Sequence, residues 1–392
     1  MNRYVRAVQR ISTDNTPTAF GLHANCDLSV AEKAGRQVMN NTKHFLLFSS
    51  FSSSSVQEEK DPLHEEHRAE SVILDILDAC KSESLRNFNI QHLARLSGLV
   101  QFGDEEEKEE DVMKQRRRKK KKSEEEKKRN AKLKCARNAE LKFAHVFLQE
   151  CVRANLLLDN MRSSLLNVEL TRKGERDTDA IVESTFNSIC LGRVPDMWTA
   201  LAYPSERSLM SWFSNMIKRV ESLRVIAGNK LQLPLCTWLP GLFNPRTFLY
   251  ATKCAFVAKS GSTKSIDVDT VSIETSVLNL QYEDVLKPAR KGVYVYGLSL
   301  EGARWDMISN TLEASRPKVM FSKMPVVNMK VVLARPKEKY AMFRCPLYQT
   351  KARGPETHLL DIDVRTKLNR DKWTLAGVAL LLDVGDDSTA TL

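Results

Sequence analysis

Apolar residues recur at steps of three and four through the first half of the chain and at steps of two through the second, which predicts helices followed by strands. Asp61-Pro62 supplies an N-cap and a first-turn proline, and Val72, Ile73, Ile76, Leu77 and Cys80 then form one apolar face opposite Asp75 and Asp78. A longer stripe, Ala144, Leu148, Cys151, Ala154, Leu158, Met161 and Leu165, requires a partner helix. A further helix is expected after Pro204-Ser205, with Ser205 as N-cap. It carries Leu209, Trp212, Phe213, Met216, Ile217, Val220 and Leu223 until Gly228-Asn229 stops it. Together these elements predict a helical bundle over residues 60–228.

Between Pro234 and Pro245 three prolines and a glycine surround Trp238 and Phe243, and a short helix through Phe248 is expected to follow. Beyond residue 265 the period is two. Val271, Ile273, Thr275 and Val277 alternate with polar positions, as do Val327, Met329, Val331 and Leu333, and Leu360, Ile362 and Val364. Val293 to Leu300 and Trp373 to Leu382 are more continuously apolar and read as interior strands. Lys291-Gly292, Arg353-Gly354-Pro355 and Asn369-Arg370-Asp371 read as turns. Helices do not alternate with these strands, so an antiparallel β-barrel over about the last 130 residues is predicted, and the fold class is α+β.

A chain of 392 residues, 42% hydrophobic and 28% charged, has the length for two or three domains and excludes a collagen, a wholly disordered protein or a coiled-coil rod. No run approaches the ~20 apolar residues of a membrane span. Arg3, Arg6 and Arg10 interrupt the N-terminus, where no secretory h-region is written, so an intracellular soluble protein is expected. The net charge of +11 is not spread over one face. Asp104 to Lys132 holds thirteen basic and ten acidic residues, including Arg116 to Lys122 without interruption. Such a run has little to bury and is expected to stay solvated, either disordered or as a lone helix held by i,i+4 ion pairs. A sharper reading makes Arg116–Lys122 a polyanion-binding or nuclear-import tract. Ser49 to Ser55 reads as a flexible linker.

The eight cysteines contain no C-x-x-C pair, and Cys80 and Cys151 fall on apolar stripes, where a thiol serves as a small hydrophobe. Ser260-Gly261-Ser262-Thr263-Lys264-Ser265 lacks one glycine of a phosphate loop and reads as a loop. The acidic end of Ala379 to Asp383 then has no phosphate loop to serve. His64 and His67 are three apart rather than four and read as a surface patch. No catalytic, metal or cofactor set emerges. Glu301 to Asp306 gathers Arg304 beside Trp305, either a buried Trp next to an Arg ion pair at a strand end or a partner-binding surface.

Ordered strings nevertheless resemble one family along nearly the whole sequence. They are Phe20-Gly21-Leu22-His23, Gln149-Glu150 with Arg153, Val194-Pro195 with Trp198, Tyr203-Pro204-Ser205, Ser211-Trp212, and Trp238-Leu239-Pro240-Gly241-Leu242-Phe243-Asn244-Pro245 with Phe248. Further on come Gly297 with Leu300-Glu301-Gly302-Ala303-Arg304-Trp305-Asp306, Met324-Pro325-Val326, Cys345-Pro346-Leu347-Tyr348, Arg353-Gly354, and Trp373 with Leu375-Ala376-Gly377-Val378. In this order they resemble the C-terminal domain of dynein heavy chains, the region after the sixth AAA module.

That resemblance implies a non-catalytic part of a minus-end-directed microtubule motor, in which helices and an incomplete β-barrel pack on the AAA ring. ATP would bind other modules, and microtubules would be met only indirectly. It implies no cofactor in this chain, membership of a dynein complex with intermediate and light chains, no membrane or nucleic-acid partner, and a place in the cytoplasm and cytoskeleton, with the cilium or flagellum axoneme preferred. The expected divisions are 1–48 as the end of an AAA lid and lead-in, 49–60 as a Ser-rich linker, 61–235 as the helical bundle with a charged insertion at 103–132, and 236–392 as the barrel-containing part. Glu175-Arg176-Asp177 stand where relatives tend to carry apolar residues, so a ring-facing contact there is lost or moved. The alternative is a stand-alone adaptor that binds RNA or acidic tails through residues 116–122.

Overall fold

A computed structural model describes residues 62–99, 124–260, 266–317, 319–333 and 341–386, with single positions between 27 and 39. Gly21, His23, the Ser-rich linker, Arg116–Lys122 and all but the first residue of the Ser260–Ser265 string lie outside the described residues. So do the side chains of His64 and His67.

Helices dominate the first half and strands the second, so the fold is α+β. The helices are α1 (Pro62–Lys81), α2 (Ile90–Leu96), α3 (Glu124–Arg172), α4 (Ala180–Cys190), α5 (Asp196–Thr199), α6 (Leu209–Gly228), α7 (Pro245–Ser260) and α8 (Arg370–Leu375). The 49-residue α3 is the spine, and α1, α2, α4, α6 and α7 all pack on it. Its predicted stripe is buried, apart from the half-buried Leu148, and α7 covers much of it through contacts of Phe248 with Phe143 and Phe147. Ile73, Ile76, Leu77 and Cys80 of α1 are buried as their spacing requires. Polar side chains on α3 also fasten the connection after α1. Asn155 bonds both the N–H and the C=O of Phe88, and Arg162 donates to the carbonyls of Cys80 and Leu85.

The strands are β1 (Thr237–Trp238), β2 (Ser272–Val277), β3 (Val293–Tyr296), β4 (Ser299–Glu301), β5 (Ala303–Asp306), β6 (Thr311–Ala314), β7 (Phe321–Lys323), β8 (Val327–Val332), β9 (Met342–Tyr348), β10 (His358–Arg365) and β11 (Ala379–Leu381). They form a four-stranded sheet in the order β1-β3-β8-β2, a five-stranded sheet in the order β10-β9-β11-β4-β7, and the β5-β6 hairpin. The pairing leaves open edges. Across the two larger sheets, the N–H of Asp363 on β10 donates to Thr275 Oγ1 on β2 at 2.7 Å. One buried cluster continues from Ile73 on α1 through α3, α6 and α7 to Leu380 on β11.

Several local expectations are corrected. The helix after Pro204 begins at Leu209 with Ser208 at its N-cap, because the Ser205 hydroxyl is engaged by Asp383 instead. The helix through Phe248 is sixteen residues long, since its apolar face finds α3. Val293–Leu300 is two strands in different sheets, split at Gly297, whose φ of +90° turns the backbone. Trp373 is helical rather than extended. Asn369 is a cap and not a turn residue, accepting from the N–H of Asp371, and Gly377 at φ +65° closes the segment, so that only Ala379–Leu381 is strand. The sheets are mixed rather than purely antiparallel, because β1–β3 and β9–β11 run parallel. Finally, α3 begins inside the charged run, at Glu124. Among the described residues no helix is long and apolar enough to cross a membrane.

Candidate functional site

The junction between helices and sheets is built around the loop 239–244, which leaves β1 and enters α7. Glu150, on the buried face of α3, accepts from the N–H of Phe243 through Oε2 and from the N–H of Asn244 through Oε1 at 3.0 Å. A carboxylate from one helix thereby caps the N-terminus of another, where N–H groups lack intrahelical partners and the dipole favours negative charge. Arg219 of α6 donates to the carbonyl of Leu242 in the same loop at 2.9 Å and to Asn215 Oδ1 at 2.8 Å. Its guanidinium carbon lies 3.3 Å from the centre of the Tyr203 ring.

Both charges are buried. Burial raises the Glu150 carboxyl above the ordinary glutamate range, against the two backbone N–H groups and Arg153 and Arg219, which favour its ionised form. Burial likewise lowers the Arg219 guanidinium and pushes the Tyr203 phenol up to about 12.

Aromatic side chains close the junction. Trp198 stacks on Trp212 at 6.0 Å, Trp212 on Tyr203 at 6.1 Å, and Tyr203 meets Phe243 edge-on at 5.7 Å. The Trp198 indole donates to Ser164 Oγ at 2.9 Å. Pro245 is buried as the first residue of α7. Trp238 lies in a cradle of two glycines. A Cβ on Gly241 would come within 2.2 Å of its ring and one on Gly297 within 2.6 Å, and Pro240 abuts the same point. Those glycines are what the ring requires.

A second group joins the β4–β5 corner to the segment before β11. Gly302, at φ +77°, lies where a Cβ would be 3.0 Å from the carbonyl of Ala376. Arg353 donates to the carbonyl of Gly377 at 2.7 Å and pairs with Glu301 at 2.5 Å. Gly354, next to it, donates its N–H to Thr357 Oγ1. Arg353→Ala is expected to cost about 1 kcal/mol, because the pair is partly solvated and the half-exposed carbonyl of Gly377 loses its donor. Urea unfolding checks the loss, and a double-mutant cycle with Glu301→Gln should return a coupling of roughly 0.5 kcal/mol.

The remaining predicted residues are separate from both groups. Trp305 is buried, with its indole toward Asn279, and Arg304 pairs with Glu313 across the β5–β6 hairpin, which is the packing reading of that string. Asp306 caps the hairpin turn by accepting from the N–H groups of Ile308 and Ser309. Pro325 is buried before β8, and Cys345 is buried on β9 with its thiol raised by burial. Pro346 and Tyr348 follow on that strand, with Tyr348 edge-on to His358. The Trp373 indole donates to Thr366 Oγ1 at 2.7 Å.

Three residues central to the junction were not singled out for it in the sequence, and each left a signal. Val146, Glu150 and Ala154 share one face at steps of four, so Glu150 interrupts a buried stripe. Arg219 sits among Met216, Val220 and Leu223 in the same way. Asp383 ends the apolar run of β11 and is buried, binding Arg207 Nη2 at 2.8 Å as well as Ser205. Its role is to fasten the segment before α6 to the sheet. Among the described residues no three His, Cys, Asp or Glu side chains are grouped to hold a metal ion.

A family model of the C-terminal domain of the dynein heavy chain matches residues 57–382, which takes in both halves of the fold and the junction between them. The protein is 36% identical over 239 residues to dynein axonemal heavy chain 17 of Homo sapiens and, over the same length, to the ciliary dynein beta chain of Tripneustes gratilla. It is also 36% identical over 244 residues to the flagellar outer arm dynein beta chain of Chlamydomonas reinhardtii. These alignments cover 61–62% of this sequence and 5% of each relative, so it matches a small part of their length. With the family's pattern running through helices, junction and sheets alike, this protein belongs to the family of C-terminal domains of dynein heavy chains.

Proposed function

We propose that this protein serves as the ring-docking C-terminal region of an axonemal dynein heavy chain, a passive brace on a motor whose ATP chemistry resides elsewhere. The observation that carries this reading is the family match over residues 57–382, together with relatives that are axonemal, ciliary and flagellar dyneins. The junction suits the task. Glu150 and Arg219 grip one loop from two helices, so load applied to the helical half would pass to the sheets through hydrogen bonds rather than through a hinge.

In this reading the helices act as a bundle, the open sheets as an incomplete barrel, and the signature residues as internal braces rather than ring contacts. Apolar side chains left exposed on the helices, among them Leu156, Leu166, Ile181 and Val225, supply docking area to an AAA ring. The protein itself takes no cofactor, and intermediate and light chains join it only through the whole dynein complex of the axoneme. An adaptor role for the basic run has no support from the relatives.

ATP turnover tests the division of labour. The isolated protein should show no turnover above blank. An axonemal heavy chain whose own C-terminal region is replaced by this one should retain microtubule-stimulated turnover. Turnover by the isolated protein would overturn the proposal.

A further inference from the structure

After β11 the backbone continues as a short strap, residues 382–386, that crosses from the five-stranded sheet to the start of α6. The N–H groups of Leu382 and Asp383 donate to the carbonyls of Tyr348 and Gln349, which holds one end of the strap beside β9. At the other end Asp383 accepts from Ser205 Oγ at 2.5 Å and from Arg207 Nε at 2.9 Å, and Asp386 accepts from the N–H of Ser208 at 3.0 Å. A groove of about 1060 Å³, lined in part by Tyr203, Ser205, Arg207 and Asp386, opens beside it, so the strap has room to move.

The strap also bears on the junction through charge. The partners of Arg219 among the described residues are the carbonyl of Leu242, the amide oxygen of Asn215 and the face of Tyr203, none of them a carboxylate. Burial disfavours its cation, while Tyr203, Asp383 and Glu150 favour it. The compensating negative charge of carboxylates therefore arrives from two sides, from Glu150 on α3 and from Asp383 on the strap. Arg219 and Arg207 both act on Tyr203, and the Arg207 side chain is only 12% exposed. Without Asp383, two guanidinium groups would share this poorly solvated region with one anion fewer, and buried charges are little screened by salt. Arg219 would turn away and release Leu242, the residue just before the N–H groups that Glu150 holds.

We propose that the strap is a conformational latch and Arg219 its relay, so that Asp383 sets how firmly Glu150 holds the start of α7. The packed route is continuous. Asp383 binds Ser205, and Tyr203, two residues earlier, meets both Arg219 and Phe243 with its ring, while the N–H of Phe243 rests on Glu150. With the strap seated, helices and sheets are locked together. With the strap displaced, the junction loosens. The coupling belongs to this protein alone and does not depend on ring docking.

Hydrogen exchange of the Phe243 and Asn244 amides in the full-length protein tests the latch, because both are bonded to Glu150 rather than to the strap. Asp383→Asn keeps the shape of the side chain and removes its charge. It should speed exchange of these two amides about tenfold relative to the Ile362 and Val364 amides of β10, a coupling within the range found inside one charged network. Asp386→Asn, on the same strap but bonded to the start of α6, should leave them within about twofold, the margin for uncoupled sites. With Arg219→Met as the background, Asp383→Asn should likewise change them by less than about twofold. The two strap variants decide the matter even if Arg219→Met does not fold. Unaltered exchange of Phe243 and Asn244 in Asp383→Asn, equal acceleration at Ile362 and Val364, equal acceleration by Asp386→Asn, or the full effect persisting with Arg219→Met would each overturn the latch.

Discussion

Replacing Glu150 with Ala is expected to lower the unfolding free energy by about 3–5 kcal/mol, the scale for leaving buried partners of a charge unpaired. The N–H groups of Phe243 and Asn244 lose their acceptors at the start of α7, and Arg219 keeps its buried charge with one fewer anion near it. Urea unfolding followed by tryptophan fluorescence reads the effect, since Trp198 and Trp212 lie in the same junction. A pH series separates the charge from the packing. Burial holds the Glu150 carboxyl above its ordinary value, so between that value and the raised one the folded state binds the proton and the unfolded state has released it. Stability from this group is therefore greatest below the window and declines as pH rises through it. Glu150→Gln should remove that decline while sparing much of the packing, and the difference between the two pH series isolates it.

Gly292→Ala is expected to be comparably severe, at about 3–4 kcal/mol, through a different cause. Gly292 turns the backbone into β3 at φ +82°, and a Cβ there would sit 1.9 Å from the carbonyl oxygen of Met329 on β8. The obstacle is backbone in a sheet, so no change of rotamer relieves it. The pairing of Val293 with Met329 must shift instead. Gly354→Ala is the matched control. Gly354 also belongs to a family string, yet its Cβ would meet nothing within 4 Å and its φ is not positive, so a change within about 0.5 kcal/mol is expected. Chemical denaturation of the two variants side by side gives the comparison.

Periodicity carried the parts of this fold that obey one rule at a time. The stripe from Ala144 to Leu165 and the alternation at Val271–Val277 and Leu360–Val364 became α3, β2 and β10 because local pattern and final burial agree there. It failed where a tertiary partner decided the outcome. Trp373 looks like strand, but the Asn369 cap and the hydroxyl of Thr366 hold it in a helix. Ser205 looks like a cap, but Asp383, far along the sequence, claims its hydroxyl. The junction was half legible. Trp198, Trp212 and Phe243 stood out as aromatic members of ordered strings, whereas Glu150 stood in such a string without a role and Arg219 in none, because both are ordinary surface residue types whose burial shows only as a break in an apolar face.

Docking on an AAA ring is measured most directly by sedimentation of the purified protein with an axonemal heavy-chain motor that ends before its own C-terminal region. A shared, faster-moving boundary containing both polypeptides in equal amounts is the predicted result, with Gly354→Ala joining it as well as the native protein. Two boundaries that sediment independently at every ratio tested would contradict it.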